Sequence, residues 1–228
     1  MRFFGTLLNA GAVVVGSAVG LLFHAKLPKR LSTVAFQGIG LFTLFIGYSM
    51  AVKTRSFIIL VFSIVLGAIL GELLDIDTHL NRFGELLKRR LKSSNERFAE
   101  GMVAAFLLFC MGSMTVLGAI EEGMGGRPNL LAAKSVLDGF ASVALSASLG
   151  IGVLFSVIPL LLYQGGLTLF AGSLKAVVSG AVVNEVSAAG GLILIGLGIS
   201  ILEIKQLKVL NMLPALVVAG VLAGIFLR

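Results

Sequence analysis

The chain has 228 residues, of which 57% are hydrophobic and only 13% charged, with a mean hydropathy of +1.06. Charge at about half the level of a soluble domain excludes a water-soluble globule. A net charge of +7 would suit nucleic acid, but in so apolar a chain the excess of Lys and Arg reads as a topology signal, and no nucleic-acid role is implied.

The first apolar run, residues 3–23, follows Arg2 and exceeds a usual signal-peptide core. It ends in Phe23-His24-Ala25-Lys26 without a small-x-small cleavage site, so it reads as a retained first span. Span 2 is expected near 33–52 and span 3 near 56–74, with Lys26, Lys29 and Arg30 in the first connection and Lys53 and Arg55 in the second. Residues 75–100 form the one long hydrophilic stretch, carrying Arg82, Lys88, Arg89, Arg90, Lys92 and Arg97. The positive-inside rule assigns it to the cytoplasm and, counting back, sets the N-terminus outside. Leu80, Phe83, Leu87 and Leu91 recur there at helical spacing, which predicts an amphipathic helix. Lys88 to Lys92 would suit anionic lipid; an ordinary solvated connecting helix is the plainer alternative.

Span 4 is expected at 101–120, followed by Glu121-Glu122-Gly123 and a turn through Gly125, Gly126 and Pro128. The uncharged run from Gly139 to Leu174 would measure about 54 Å as one helix, beyond a hydrocarbon core of roughly 30 Å. A break at Gly150-Ile151-Gly152 divides it into a short fifth segment near 135–149 and a sixth span near 152–171, with Pro159 able to kink the sixth. Span 7 near 186–202 and span 8 near 209–227 complete an eight-span reading with both termini outside; an unbroken run would leave seven. The expected fold is all-α, a polytopic transmembrane helical bundle forming one integral membrane domain over 1–228.

Two parts of the chain match each other. Gly40-Leu41 to Gly47-Tyr48-Ser49 has the spacing of Gly191-Leu192 to Gly198-Ile199-Ser200, and Gly67-x-x-x-Gly71 parallels Gly220-x-x-x-Gly224. With eight spans, copies at spans 2–3 and 7–8 cross in opposite senses, an inverted repeat as in many transporters; with seven they would be parallel. Chance alignment of Gly-rich helices is the alternative.

Asn9, Gln37, Gln164 and Asn211 lie within spans, where helix-to-helix hydrogen bonding is the ordinary role. Ionisable groups discriminate better, because a charge at membrane depth is expensive and is kept by a partner or a watery cavity. Asp138 opens the expected fifth segment with Lys134 one turn before it; an i,i+4 ion pair competes with a cation or proton site. Asn184-Glu185 precedes span 7 behind the uncharged run 176–183, which would carry the carboxylate inward if re-entrant; a helix-start carboxylate is the alternative. Glu72, Glu121 and Glu122 rank below these as interfacial groups. Cys110, the single cysteine, allows no intrachain disulfide or cysteine metal cluster. Met102, Met111 and Met114 read as core filling.

Gly5-Thr6-x-x-Asn9, Gly112-Ser113-Met114 with Gly118-Ala119-Ile120-Glu121-Glu122-Gly123, Lys134-Ser135-x-Leu137-Asp138-Gly139, Tyr163-Gln164-Gly165 and Ala189-Gly190-Gly191 together resemble the YdfK/YqgA family of bacterial inner-membrane proteins across nearly the whole chain. The resemblance implies a multi-pass location in the bacterial cell membrane and brings no catalytic or binding residues. Broken helices, the possible inverted repeat and acidic groups near discontinuities give the functional expectation, a transporter or channel for a small inorganic ion, a cation favoured. The alternative is a structural or accessory protein assembling through Gly-rich helices with a partner or a second copy. No His-Glu-x-x-His is present and His24 and His79 lie outside the spans, so no enzyme is expected, no cofactor is implied, and a metal remains open.

Overall fold

A computed structural model describes residues 3–24, 29–90, 95, 97–175 and 179–227. Lys26, Lys92, the start of the 176–183 run and Arg228 lie outside the described residues, as do the side chains of His24 and Lys29. Among the described residues the regular elements are all helices: α1 Phe4–His24, α2 Lys29–Ala51, α3 Phe57–Leu73, α4 Ile76–Arg90, α5 Phe98–Cys110, α6 Ser113–Gly123, α7 Asn129–Leu149, α8 Gly152–Phe155, α9 Val157–Leu169, α10 Ala171–Lys175, α11 Gly180–Ile201, a 3-10 turn Val209–Met212 and α12 Pro214–Phe226. Among the described residues six helices or helix runs are long and apolar enough to cross a bilayer, and two further bent pairs raise the total to as many as eight. The chain is a multi-pass helical membrane protein.

The breaks have local causes. Gly150 takes φ 78°, left-handed backbone that a side chain disfavours, and ends α7 at the expected place. Pro159 has no N–H to offer the carbonyl four residues earlier, and the helix is interrupted at Ser156, between α8 and α9. Asp75, also left-handed at φ 49°, ends α3, and α4 leaves at 60° with Thr78 Oγ1 donating to Asp75 Oδ1 at 2.7 Å.

Three expectations need correction. Span 4 is not continuous: α5 and α6 meet at 65° around Gly112, and Thr115 Oγ1 donates at 2.9 Å to Phe109 O, satisfying a carbonyl that the break frees. The fifth segment is not short, since α7 runs 21 residues from Asn129. Asp138 consequently sits mid-helix, about 13 Å along it, rather than at its start. Glu185 does not precede span 7: Ser179 caps α11, accepting from Val182 N at 3.3 Å, and Glu185 lies in the helix's second turn.

The chain divides into two compact units, one formed by residues 1–36, 84–110 and 114–174, the other by 37–83, 111–113 and 175–228. In the first, α1 packs on α7 along their lengths. A Cβ on Gly16 would meet Gly139 O and Ser142 Oγ at 2.2 Å, and one on Gly20 would meet Val143 O at 2.3 Å, so the two helices run parallel with backbones nearly touching.

In the second unit, Gly47 meets Gly191 and Gly198 meets Gly40, so α2 and α11 run antiparallel. The same four glycines define the internal match, and exchanging the two copies turns one contact into the other, as a two-fold relation requires. Gly67 lies on Ala215 and Gly71 on Asn211, setting α3 antiparallel to α12. Gly220 has only Val186 Cγ2 near it, at 3.6 Å, so the second Gly-x-x-x-Gly does not reproduce the role of the first. Leu60, Ala188, Ala189 and Ala219 form a buried cluster between α3, α11 and α12.

A candidate ion site in the α1, α7 and α9 unit

Asp138 is the centre of the site. Lys134, one turn earlier on α7, is ion-paired to Asp138 Oδ2, and both residues are buried, at 5% and 6% exposed. The Lys134 ammonium also lies 6.0 Å from the centroid of the Phe109 ring on α5, within cation–π range. Two charges placed inside a membrane protein persist when each meets the other and hydrogen bonds fill the remaining positions.

Those hydrogen bonds come from other helices. Asn9 Nδ2 on α1 donates to Asp138 Oδ2 at 3.0 Å and to Gln164 Oε1 on α9 at 3.1 Å. Gln164 Nε2 in turn donates to Thr6 Oγ1 at 3.3 Å. Thr6 Oγ1 donates to Glu122 Oε2 at 2.7 Å, and Thr168 Oγ1 approaches the same oxygen at 3.4 Å. A chain of polar groups therefore links Lys134 and Asp138, through Asn9, Gln164 and Thr6, to Glu122. Asn9 Oδ1 is buried with no partner among the described residues, as are Ser17 Oγ and Ser146 Oγ on α1 and α7.

Local sequence explains the convergence. Thr6 and Asn9 are three apart on α1, Lys134 and Asp138 four apart on α7, and Gln164 and Thr168 four apart on α9, so each pair shares a helix face. Gly5 and Gly16 bring α1 close enough to α7 for the bonds to form: a Cβ on Gly5 would meet Leu131 and Pro128 at 2.8 Å.

Of the candidate residues, Asp138, Lys134, Asn9 and Gln164 are brought together, and Glu122, ranked lower from sequence, joins them, 2% exposed. Glu122 also accepts from the backbone N–H groups of Gly5 and Thr6 and so closes the start of α1. Glu121 is half-buried, with Oε2 lacking a partner among the described residues.

Glu185 belongs to the other unit. Fully buried, it accepts from Thr54 Oγ1 at 2.7 Å and from the N–H groups of Arg55 at 2.6 Å and Ser56 at 3.2 Å, fixing the residues that lead into α3. Asn184 is half-buried on α11 and Gln37 is exposed on α2. Glu72 pairs with Lys208 and accepts from Asn211 Nδ2 at 2.6 Å, while Asn211 Oδ1 accepts from Asp77 N at 2.6 Å across the bend between α3 and α4. The Glu72 carboxylate holds the Lys208 ammonium above its ordinary range. Among the described residues no three His, Cys, Asp or Glu side chains gather as a metal site would require.

Sequence reasoning did not single out Thr6 and Thr168 as site residues. Their signal was the three- and four-residue spacing from Asn9 and Gln164.

No solved structure matches the chain. It is 36% identical over 220 residues to the Escherichia coli (strain K12) protein named "Uncharacterized protein YqgA", covering 94% of each chain. It is 30% identical over 222 residues to the Bacillus subtilis (strain 168) protein named "Uncharacterized membrane protein YdfK", covering 96% of this chain and 94% of that one. A model of the family described as "Protein of unknown function (DUF554)" matches residues 4–224, and the chain belongs to that family.

Proposed function

We propose that the protein moves a small ion, a cation in preference to an anion, across the bacterial cell membrane. One observation carries this reading: a carboxylate about 13 Å along a membrane helix, buried and joined by Asn9 to a polar face of a third helix. An intramembrane charge so maintained is by default a functional group. Broken helices at Gly112, Gly150 and Ser156 and the antiparallel α2–α11 match are further features shared with transporter architecture. In this reading the N-terminus faces outside and α4 lies at the cytoplasmic surface, where Arg82, Arg89 and Arg90 beside exposed Phe83 and Leu86 suit anionic lipid.

A second reading, an accessory protein whose polar groups only glue helices, draws on Glu122, which closes the start of α1, and Glu185, which holds the lead-in to α3. Flux separates the two. Purified protein in liposomes is to be scanned with monovalent and divalent cations, alongside Asp138→Asn. Cation flux that Asp138→Asn reduces, with the variant still folded, supports transport; no flux by demonstrably folded protein moves the weight to the accessory reading.

A further inference from the structure

A hydroxyl inside a membrane helix has a ready partner, the carbonyl three or four residues back along its own helix. In the α1, α7 and α9 unit Ser135 donates to Leu131 O at 2.7 Å, Ser142 to Gly139 O at 2.8 Å and Ser156 to Val153 O at 2.7 Å. Ser17 on α1 and Ser146 on α7 do not follow them. Both residues are fully buried, and neither hydroxyl has a partner among the described residues. A buried hydroxyl that forgoes the carbonyl of its own helix is unfavourable unless another group takes its hydrogen bonds.

The two hydroxyls belong to one strip. Asp138, Ser142 and Ser146 are four residues apart on α7, so they follow one slowly turning face in steps of about 6 Å. Gly16 of α1 lies against Ser142 and Gly20 against Ser146, which sets Ser17 between those two serines in depth. A side chain on α1 at either glycine would fill the strip: a Cβ on Gly16 would stand 2.2 Å from Ser142 Oγ and one on Gly20 2.8 Å from Ser146 Cβ. The strip leads from Asp138 to the end of α7, where Asn95 Nδ2 donates to Leu149 O at 2.8 Å. Towards the start of α7 the polar groups are instead tied to one another, Gln164 to Thr6, and Thr6 and Thr168 to Glu122.

Water suits the unpaired groups. It donates and accepts, so it satisfies the Ser17 and Ser146 hydroxyls as well as Asn9 Oδ1, the third buried acceptor without a partner among the described residues. A step of about 6 Å is also the span of two O–H···O hydrogen bonds, so an ion passing from Ser146 to Asp138 keeps part of its hydration shell. Resting on the transport reading above, we infer that this strip is the hydrated path by which the ion reaches Asp138 from the Asn95 end of α7, with Ser17 and Ser146 as its water-binding groups. On an eight-crossing path that end faces the cytoplasm.

The test asks whether cysteines on the strip meet water. Ser17→Cys and Ser146→Cys are made singly in the full chain with Cys110→Ala and treated in sealed vesicles, in chloride-free buffer, with silver ion, a small monovalent cation that captures thiolates. The thiol left unreacted is then measured with a maleimide after denaturation. Val15→Cys is the comparison: it lies about 3 Å from Ser17 along α1, on the exposed side of the helix, where a thiol among apolar groups stays protonated and unreactive. Glu85→Cys, exposed on α4, marks the side of the membrane. Both strip cysteines are expected to react about tenfold or more faster than Val15→Cys, from the side on which Glu85→Cys is labelled. Ser17→Ala and Ser146→Ala give a second measurement that needs no thiol. Alanine relieves a dry, unpaired hydroxyl and raises the melting temperature; on a hydrated strip it removes a water-binding group, so loss of cation flux with no gain in melting temperature is expected.

Strip cysteines no more reactive than Val15→Cys, reaction from the opposite side only, or a raised melting temperature in both alanine variants would each overturn the hydrated path. Cation flux in a protein whose strip cysteines are unreactive would overturn the path and leave the transport reading in place. Reactive strip cysteines in folded protein that carries no cation would overturn the transport reading, and with it the ion's use of the strip, while the hydration stands.

Discussion

Thr6 gives Glu122 both its backbone N–H and its hydroxyl, at 3.2 and 2.7 Å, so a carboxylate at the end of α6 closes the start of α1. Glu185 holds the lead-in to α3, accepting from Thr54, Arg55 and the N-cap Ser56, whose own hydroxyl caps Ile59 N at 3.4 Å. The first turn of a helix leaves N–H groups without intrahelical acceptors, and its partial positive charge favours a carboxylate there. Glu122→Ala and Glu185→Ala should each lower the stability of purified protein by about 2–4 kcal/mol, because several donors lose a charged acceptor at once. Glu→Gln should cost less but remain clearly measurable, since the amide keeps one acceptor and turns a donor towards donors. Thermal unfolding in detergent measures both, and amide exchange should quicken at residues 5–7 for Glu122 and 55–58 for Glu185. Unchanged melting in both alanine variants would contradict the capping role.

The close helix crossings allow a sharper contrast. A Cβ at Gly71 would stand 1.9 Å from Asn211 O and one at Gly16 2.2 Å from Gly139 O, both against backbone that cannot swing aside. Around Gly165 and Gly166 nothing lies within 4 Å, and Gly220 has only an ordinary contact. Gly16→Val and Gly71→Val should destabilise by about 1–3 kcal/mol or more. Gly220→Ala and Gly165→Ala should stay within roughly 0.5 kcal/mol of neutral or improve stability through helix propensity. Equal effects at the two groups of sites would show that these crossings are looser than the geometry indicates.

Element type and the position of the main break were legible in the sequence because hydrocarbon thickness limits helix length and glycine tolerates left-handed backbone. Gly150 was predictable for both reasons. The bend between α5 and α6 was not: Met111-Gly112-Ser113 lies in an unbroken apolar run, and what makes the bend tolerable is a single hydroxyl, Thr115, on a carbonyl six residues back. The site shows the same division. Spacing alone associates Lys134 with Asp138. That Asn9 would reach both Asp138 and Gln164 depends on α1 and α7 running parallel at glycine-to-backbone distance, a tertiary fact with no local periodicity. The uncharged lead-in to Glu185 reads equally as loop or helix in the sequence; Ser179 as cap decides for helix.

Asn211 ties three parts of the second unit together, donating to Glu72 and accepting from Asp77 N, whereas Lys208 reaches Glu72 in an exposed pair. Asn211 is 2% exposed, so Asn211→Leu leaves partly buried groups unpaired and should cost about 1–3 kcal/mol. Lys208→Met should have little effect on melting, since exposed ion pairs are screened. The pH dependence follows from the raised Lys208 value: whatever the pair contributes is fully present below the ordinary lysine range and is lost as pH rises through the raised value, leaving the neutral range flat. Melting curves between pH 6 and 9, on the order of three units, check this. A loss for Lys208→Met as large as that for Asn211→Leu would reverse the assignment.

The direction of α2 against α11 excludes one of the two crossing counts that the sequence leaves open. Gly47 faces Gly191 and Gly40 faces Gly198, so the two helices run in opposite senses. If both cross the bilayer, an odd number of crossings must separate them in the count. Eight crossings make α2 the second and α11 the seventh, five apart; seven crossings would make them second and sixth, and parallel. The antiparallel contact therefore excludes seven and agrees with eight; on an eight-crossing path, with α4 taken as cytoplasmic from its basic residues, residues 203–208 are expected inside and the turn at Gly125 and Gly126 outside. Cysteines introduced singly at Lys205 and Gly126, in a Cys110→Ala background, should react with a membrane-impermeant thiol reagent from opposite sides of intact cells and inverted vesicles: Gly126→Cys from outside, Lys205→Cys from inside. Labelling of both from the same side would overturn the eight-crossing topology and the inverted sense of the α2 and α11 match, removing one of the supports for a transport function and leaving the buried Asp138 site to stand without it.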